Sequence, residues 1–183
     1  MPRFAFLSDL HGDLSPLDLC FREKPDLVIL CGDICPKRDV VTTIPLLYVH
    51  GNHDNLDTLK RRLPGRNIHL SVETIFGVRI LGIGGVFDGD ANYIHQIENL
   101  TSRRVIAQTT KKFEKVDLIV SHEAPKMAHP LGEIELNSLH EHFQPKLWIH
   151  GHHHEKRVSI HGGTKIIGLP WLRKDGSFVI VDM

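Results

Sequence analysis

Five short apolar runs in this sequence each stop at a knot of Asp, His, Asn or Gly: FAFLSDLHGD, DLVILCGD, IPLLYVHGNHD, VDLIVSHEAP and KLWIHGHHH. The knots present Asp9 and His11, then Asp33, then Asn52, His53 and Asp54, then His122, and last His152, His153 and His154. Singly, such residues are ordinary turn formers. Together, carboxylates, imidazoles and an amide delivered by separate strands can converge on one point. Their mixed oxygen and nitrogen donors suit borderline divalent ions such as Mn, Fe, Co, Ni or Zn better than Ca or Mg, which prefer oxygen alone. So many ligand groups exceed the needs of one ion. Two ions sharing a bridging carboxylate would use them, and ions about 4 Å apart recur where phosphorus undergoes in-line displacement.

The elements that must position these groups are legible from patterning. The five runs are apolar without alternation, as in strands covered on both faces. Between them lie helical stretches. Ser15 as N-cap, Pro16 at the first helical position and Asp18 as the acidic member of a capping box predict a short helix through Arg22. TLKRRL, ending at Pro64-Gly65, predicts a helix near Asp57. Val105, Ile106, Thr109 and Phe113 recur at helical spacing within a helix from Thr101 to about Glu114, and Glu133 to Phe143 forms the next. Strands alternating with helices predict an α/β fold, whose functional groups gather at the carboxyl ends of strands. VETIFGVRILGIGG and RVSIHGGTKIIGL read as hairpins turning at Phe76-Gly77 and at His161 to Thr164. SFVIVD, after Asp175-Gly176, reads as a last strand. The hairpins suggest a second, mixed sheet packed on the first.

With 183 residues and 41% hydrophobic content, the chain suits one domain spanning 1–183 with a substantial core. Lys plus Arg (22) equals Asp plus Glu (22), so no global field draws it to long nucleic acid or anionic lipid, and any bound anion must be held locally. No run is long enough to cross a bilayer and no leader pattern opens the chain, which reads as cytoplasmic. Cys20, Cys31 and Cys35 fit neither a redox pair nor a zinc knuckle and read as buried small side chains. Oligomeric state leaves no mark on the sequence.

The ordered series DLH, GD, GNHD, a lone strand-end His and GHHH, spanning Asp9 to His154, resembles the calcineurin-like metallophosphoesterase superfamily. The resemblance implies a two-sheet β-sandwich flanked by helices, a four-layer αββα arrangement. It also implies that Asp9, His11, Asp33 and His154 hold one metal and Asp33, Asn52, His122 and His152 the other, with Asp33 as bridge. A hydroxide bridging both ions would attack phosphorus. His53 would be no ligand but a general acid or electrostatic stabiliser at the leaving oxygen, oriented by the Asp54 carboxylate. Where protein Ser/Thr phosphatases of this superfamily carry Asp-Arg after GD, this chain has Pro36 and Lys37 in GDICPKR, which points away from protein substrates. The implied reaction is hydrolysis of a small phosphate ester, with diesters favoured because a chain this short leaves little room for a cap over the cleft. A metabolite phosphomonoesterase and a metal-binding scaffold without catalysis are the rival readings.

Outside the motifs, His153 reads as an outward-facing loop residue and His50 and His150 as structural. His69, His140, His142 and His161 read as solvated. Lys37 or Arg38 could touch a phosphate or simply face water. Gly84 to Gln96, with Asp88, Asp90, Tyr93 and His95, could line the cleft. Lys126, His129, Trp171 and Arg173 are further candidates, Trp171 either stacking on a ring or packing in the core. No substrate-binding residue is assigned.

Overall fold

The structure, a computed structural model, describes residues 1–87, 100–101, 103–171 and 178–183. The predicted elements form where patterning puts them. Strands β1 (Arg3–Leu7), β2 (Leu27–Cys31) and β3 (Leu46–Val49) precede the first three knots, and β9 (Leu118–Ser121) and β10 (Leu147–His150) the last two. Helices α1 (Ser15–Arg22), α2 (Leu56–Arg62), α3 (Arg103–Lys112) and α4 (Ile134–Phe143) lie within a residue or two of expectation. The caps differ in detail. Ser15 is already helical, and Asp13 accepts from both its N–H and its hydroxyl. Asn55 caps α2 by accepting from Thr58 N–H.

Two sheets result. In the first, β1, β2, β3 and β4 (Arg66–Asn67) run parallel, with β13 (Val179–Asp182) antiparallel on the β1 edge. In the second, β6 (Val78–Ile83), β9, β10 and β12 (Thr164–Gly168) run parallel. Its two edges are the hairpin arms β5 (Val72–Ile75) and β11 (Arg157–His161). Phe76 and Gly77, with φ of 51° and 78°, make the first hairpin turn. Short strands β7 (Val86–Phe87) and β8 (Leu100–Thr101) pair separately. The hairpins thus belong to a second, mixed sheet, as expected. They border its central β9 and β10, so the parallel strands bearing the knots are divided between both sheets.

Three apolar layers explain why those runs lack alternation. Phe4, Phe6, Ile29 and Val49 of the first sheet meet Ile80, Val120 and Ile149 of the second. On the other face of the first sheet, Ala5, Leu7, Val28 and Leu30 pack with Leu17 and Cys20 of α1 and Leu59 of α2. Leu81, Ile119 and Trp148 pack outward with Ile106 of α3 and Leu136 and Leu139 of α4. This is the four-layer αββα arrangement, and a strand in either inner layer is apolar on both faces. Among the described residues, no helix is long and apolar enough to cross a membrane. Cys20 and Cys31 are buried, Cys35 partly so, and all three are free thiols, as expected of small packing side chains. The Asp175-Gly176 turn and the loop residues Asp88 to Gln96 and Arg173 lie outside the described residues.

Candidate metal centre

All five knots lie at the carboxyl ends of their strands, and both sheets bring those ends to one rim. Loop backbones are laced together there: Asp9 N–H donates to Gly32 O, His11 N–H to Asp33 O, and Gly151 N–H to His122 O, at 2.8–3.0 Å. The packing leaves no room for a Cβ at two motif glycines. At Gly51 it would collide with Asp33 Oδ1, and at Gly151 with Ser8 Oγ.

Asp9, His11, Asp33, His152 and His154 all have positive φ, between 44° and 69°. Each left-handed non-glycine residue costs about 1–2 kcal/mol. Half of the ten such residues among those described sit in this one cluster. The surrounding contacts, and not local preference, hold these side chains where they are.

The side chains form two overlapping groups. In one, His154 Nε2 lies 3.2 Å from Asp9 Oδ1 and 3.3 Å from His11 Nε2, which is 3.9 Å from Asp33 Oδ2. In the other, His122 Nε2 lies 3.0 Å from Asn52 Oδ1 and 3.6 Å from Asp33 Oδ2. Asp33 is common to both. Asp9 and Asp33 are almost wholly buried, and Asp9 Oδ1 receives no well-aligned hydrogen bond. His122 Nδ1 faces Cys31 O at 2.9 Å. With its proton there, a neutral His122 turns the Nε2 lone pair towards the oxygens of Asn52 and Asp33. Lone pairs and carboxylates facing one another out of water are what a cation would satisfy, so the donor set fits divalent metal.

The electrostatics agree. Burial would raise the Asp9 carboxyl, but the His154 ring beside it and the charge of His122 hold it low. Burial would lower His122, yet Asp33 and Asp9 outweigh it and raise this imidazole, so a cation bound at Nε2 would replace the proton that those carboxylates favour there. His152 is pushed down to about 4, chiefly by burial and then by His122, so it is neutral and ligand-competent at pH 7.

His53 stands at the edge of this cluster with its side chain 35% exposed and its Nε2 4.0 Å from Asp33 Oδ2. Its own N–H donates to Asp33 Oδ1 at 2.8 Å. Asp54 is fully buried and works on the backbone: Oδ1 accepts from Ile34 and Cys35 N–H, and Oδ2 from Gly51 N–H. It thereby staples the loop after β2 to the loop after β3. Burial, and then the nearby Asp33 charge, push its carboxyl up to about 6.

A cavity of about 400 Å³ opens over the cluster, lined by Asp33, Asn52, His53, Leu131, Glu133 and the run His152 to His154. Trp171 is neither core nor remote. It stacks on His154, with ring centroids 5.2 Å apart at 22°, and walls the cluster on that side. Lys37 is exposed with its side chain folded over Gly12, while Arg38 pairs with Asp18. Lys126 donates to Pro130 O.

Several histidines differ from expectation. His153 turns inward, its Nε2 2.6 Å from Glu123 Oε1, because that buried carboxylate needs a partner. His69 accepts from Gly84 N–H, packs on His50, and is pushed down to about 4 by burial. His140 Nε2 lies 3.0 Å from the backbone carbonyl of His161, so the His140 ring is not simply solvated. His50 and His150 are buried, as structural histidines should be. Glu123 escaped the reading of the sequence altogether. Its signal was a charged residue directly after His122 at the end of an apolar strand.

Divalent metal binding to this cluster should stabilise the fold by mass action. At a hundredfold excess over Kd, one ion adds about 2.7 kcal/mol, which for a chain of this length is a rise in Tm of roughly 5–10 °C. Melting of chelator-stripped protein across a Mn²⁺ titration checks this. A Tm indifferent to Mn²⁺ would contradict it.

Comparison with known proteins accords with this geometry. Residues 2–156 match the model of the calcineurin-like phosphoesterase family. An uncharacterized protein of Haemophilus influenzae is 28% identical over 187 aligned positions, covering 82% of each chain. Among solved structures, TT1561 of Thermus thermophilus superimposes with a TM-score of 0.67 at 16% identity, covering 99% of this chain and 98% of the other. A novel archaeal phosphodiesterase superimposes at 0.54 with 12% identity, covering 99% and 93%. At these identities the structural likeness speaks for the fold alone.

Proposed function

Since the chain belongs to the calcineurin-like phosphoesterase family, we propose that it is a metal-dependent hydrolase of small phosphate esters, with phosphodiesters preferred. The observation that carries this reading is the convergence of Asp9, His11, Asp33, Asn52, His122 and His154 from both sheets under one open cavity. Asp9, His11, Asp33 and His154 would hold one divalent ion, and Asp33, Asn52, His122 and His152 a second, with Mn, Fe, Zn, Co or Ni the fitting elements. Bound there, the ions would supply Lewis acidity towards the phosphoryl oxygens and an activated water.

The remaining steps belong to the chain. His53 faces the cavity and donates a proton or hydrogen bond to the departing oxygen. The tie of its N–H to Asp33 Oδ1 fixes the His53 backbone, and Asp54, by clamping Gly51 to the Ile34 loop, holds that turn in register. Asn52 gives a neutral oxygen ligand where a third carboxylate would repel the substrate. Leu131 and Trp171 present apolar surface to the organic part of the ester.

The preference for diesters rests on charge. Among the described residues, the cavity lining includes Asp33 and Glu133 and no Lys or Arg. A monoester carries close to two negative charges at pH 7 and a diester one. The ions would take up phosphoryl charge, and with no Lys or Arg among the described lining residues nothing further is placed to pair a monoester's second charge. The balanced net charge and open cavity favour a small substrate over long nucleic acid.

The test is steady-state hydrolysis of bis-p-nitrophenyl phosphate and p-nitrophenyl phosphate by metal-stripped protein reloaded with Mn²⁺. We expect kcat/KM to favour the diester by about tenfold or more, the effect of one phosphoryl charge left without a side-chain partner. A preference for the monoester would make the chain a metabolite phosphatase. Silence on both substrates with metal bound would make it a scaffold.

A further inference from the structure

The carboxylate of Glu123 is buried to 1% exposure between two consecutive histidines. Its Oε1 accepts from Ala124 N–H at 2.7 Å and lies 2.6 Å from His153 Nε2, while Oε2 lies 3.4 Å from His152 Nε2. The backbone of Glu123 is itself pinned to the core. Its carbonyl accepts from Ser121 Oγ at 2.6 Å, and that hydroxyl accepts from Trp148 Nε1 at 2.8 Å. His153 in turn stacks on His129 at 3.9 Å and 12°, and His129 Nε2 meets Glu155 at 3.2 Å. Packing on every side thus decides which way the Glu123 carboxylate points.

An imidazole has two nitrogens, and a histidine that binds metal through one commonly donates its other N–H to a carboxylate or carbonyl. His122 follows this rule with Nδ1 on Cys31 O and Nε2 towards Asp33 and Asn52. His152 has the opposite arrangement: Nε2 is turned to Glu123, and its backbone N–H donates to Asp9 Oδ2 at 3.1 Å. We propose that Glu123 is a positioning residue for the metal centre, holding the His152 ring so that Nδ1 is the atom presented to the second ion. This rests on the two-ion reading above.

The histidine that follows contributes to the same end. By taking Oε1, His153 leaves Oε2 as the oxygen for His152, so both consecutive rings are fixed by one carboxylate. The ligand atoms of Glu123, His152 and His153 lie close enough together to hold an ion of their own. The short contact between Glu123 Oε1 and His153 Nε2, and the Ala124 N–H on the same oxygen, instead mark that carboxylate as already satisfied by protein donors. An amide in its place could not accept from both rings and Ala124, because one of its two heads only donates.

Two measurements test the assignment, neither of them activity. In wild-type protein loaded with ¹¹³Cd, long-range ¹⁵N correlation of the histidine rings should show cadmium coupled to His152 Nδ1, with the proton on Nε2. Coupling through Nε2 of His152 and His153 would place an ion among Glu123, His152 and His153 and overturn the proposal. Glu123→Gln should then weaken one of the two ions by about 10- to 100-fold in a metal titration, with Glu123→Asp recovering part of the loss. Two ions bound by Glu123→Gln with wild-type affinity would also overturn it. Wild-type protein that binds fewer than two ions would instead refute the two-ion reading, so the two failures are distinguishable.

Discussion

Asp33→Asn should reduce hydrolysis of bis-p-nitrophenyl phosphate by about a thousandfold and leave no more than one ion tightly bound. Asp33 is the carboxylate common to both ligand groups, with Oδ2 within 4 Å of His11, His53 and His122. Lewis-acid stabilisation of the transition state amounts to several kcal/mol, and each 1.4 kcal/mol or so is tenfold in rate. Asparagine is the informative choice because its oxygen can still accept the His53 N–H that Asp33 Oδ1 accepts at 2.8 Å. The loop then keeps its anchor while the bridging charge is lost. Metal analysis with kinetics decides the matter: a variant that retains two ions at wild-type affinity would show that Asp33 is not the bridge.

The second large effect concerns His53→Ala. A positioned general acid contributes about 10²- to 10⁴-fold, and His53 is the exposed-edge histidine of the cavity whose ring is outside both proposed ligand sets. Metal stoichiometry should stay at the wild-type value while kcat falls. The loss should depend on the leaving group, near the top of that range for an alkoxide, which must be protonated, and much smaller for p-nitrophenolate, which departs unaided. Equal losses for both leaving groups would remove the proton-donor role and leave electrostatic stabilisation. Loss of an ion would make His53 a ligand.

Much of the fold was legible in the chain because its signals are local. Unalternating apolar runs of four or five residues mark doubly covered strands, and Pro16, Pro64 and the paired turn residues Phe76-Gly77 mark where elements begin and end. The division of the parallel strands between two sheets was not legible. Which strand pairs with which depends on contacts far apart in sequence, such as Leu147 beside Leu118 and Phe4 beside Leu27, and no local pattern encodes them.

The site divides in the same way. Position at a strand end and chemical kind are properties of the chain itself, so Asp9, His11, Asp33, Asn52, His122, His152 and His154 could be named together as candidate ligands, with His53 beside them. What the polar residues between them do was left to folding. Asp54 staples two loops through three backbone amides, His153 turns inward to Glu123, and His69 leaves solvent to pack on His50. A buried carboxylate or imidazole takes its orientation and protonation from whichever partner packing places within about 3 Å. For Glu123 those partners are His153, 30 residues away, and the neighbouring His152, and folding alone brings them together.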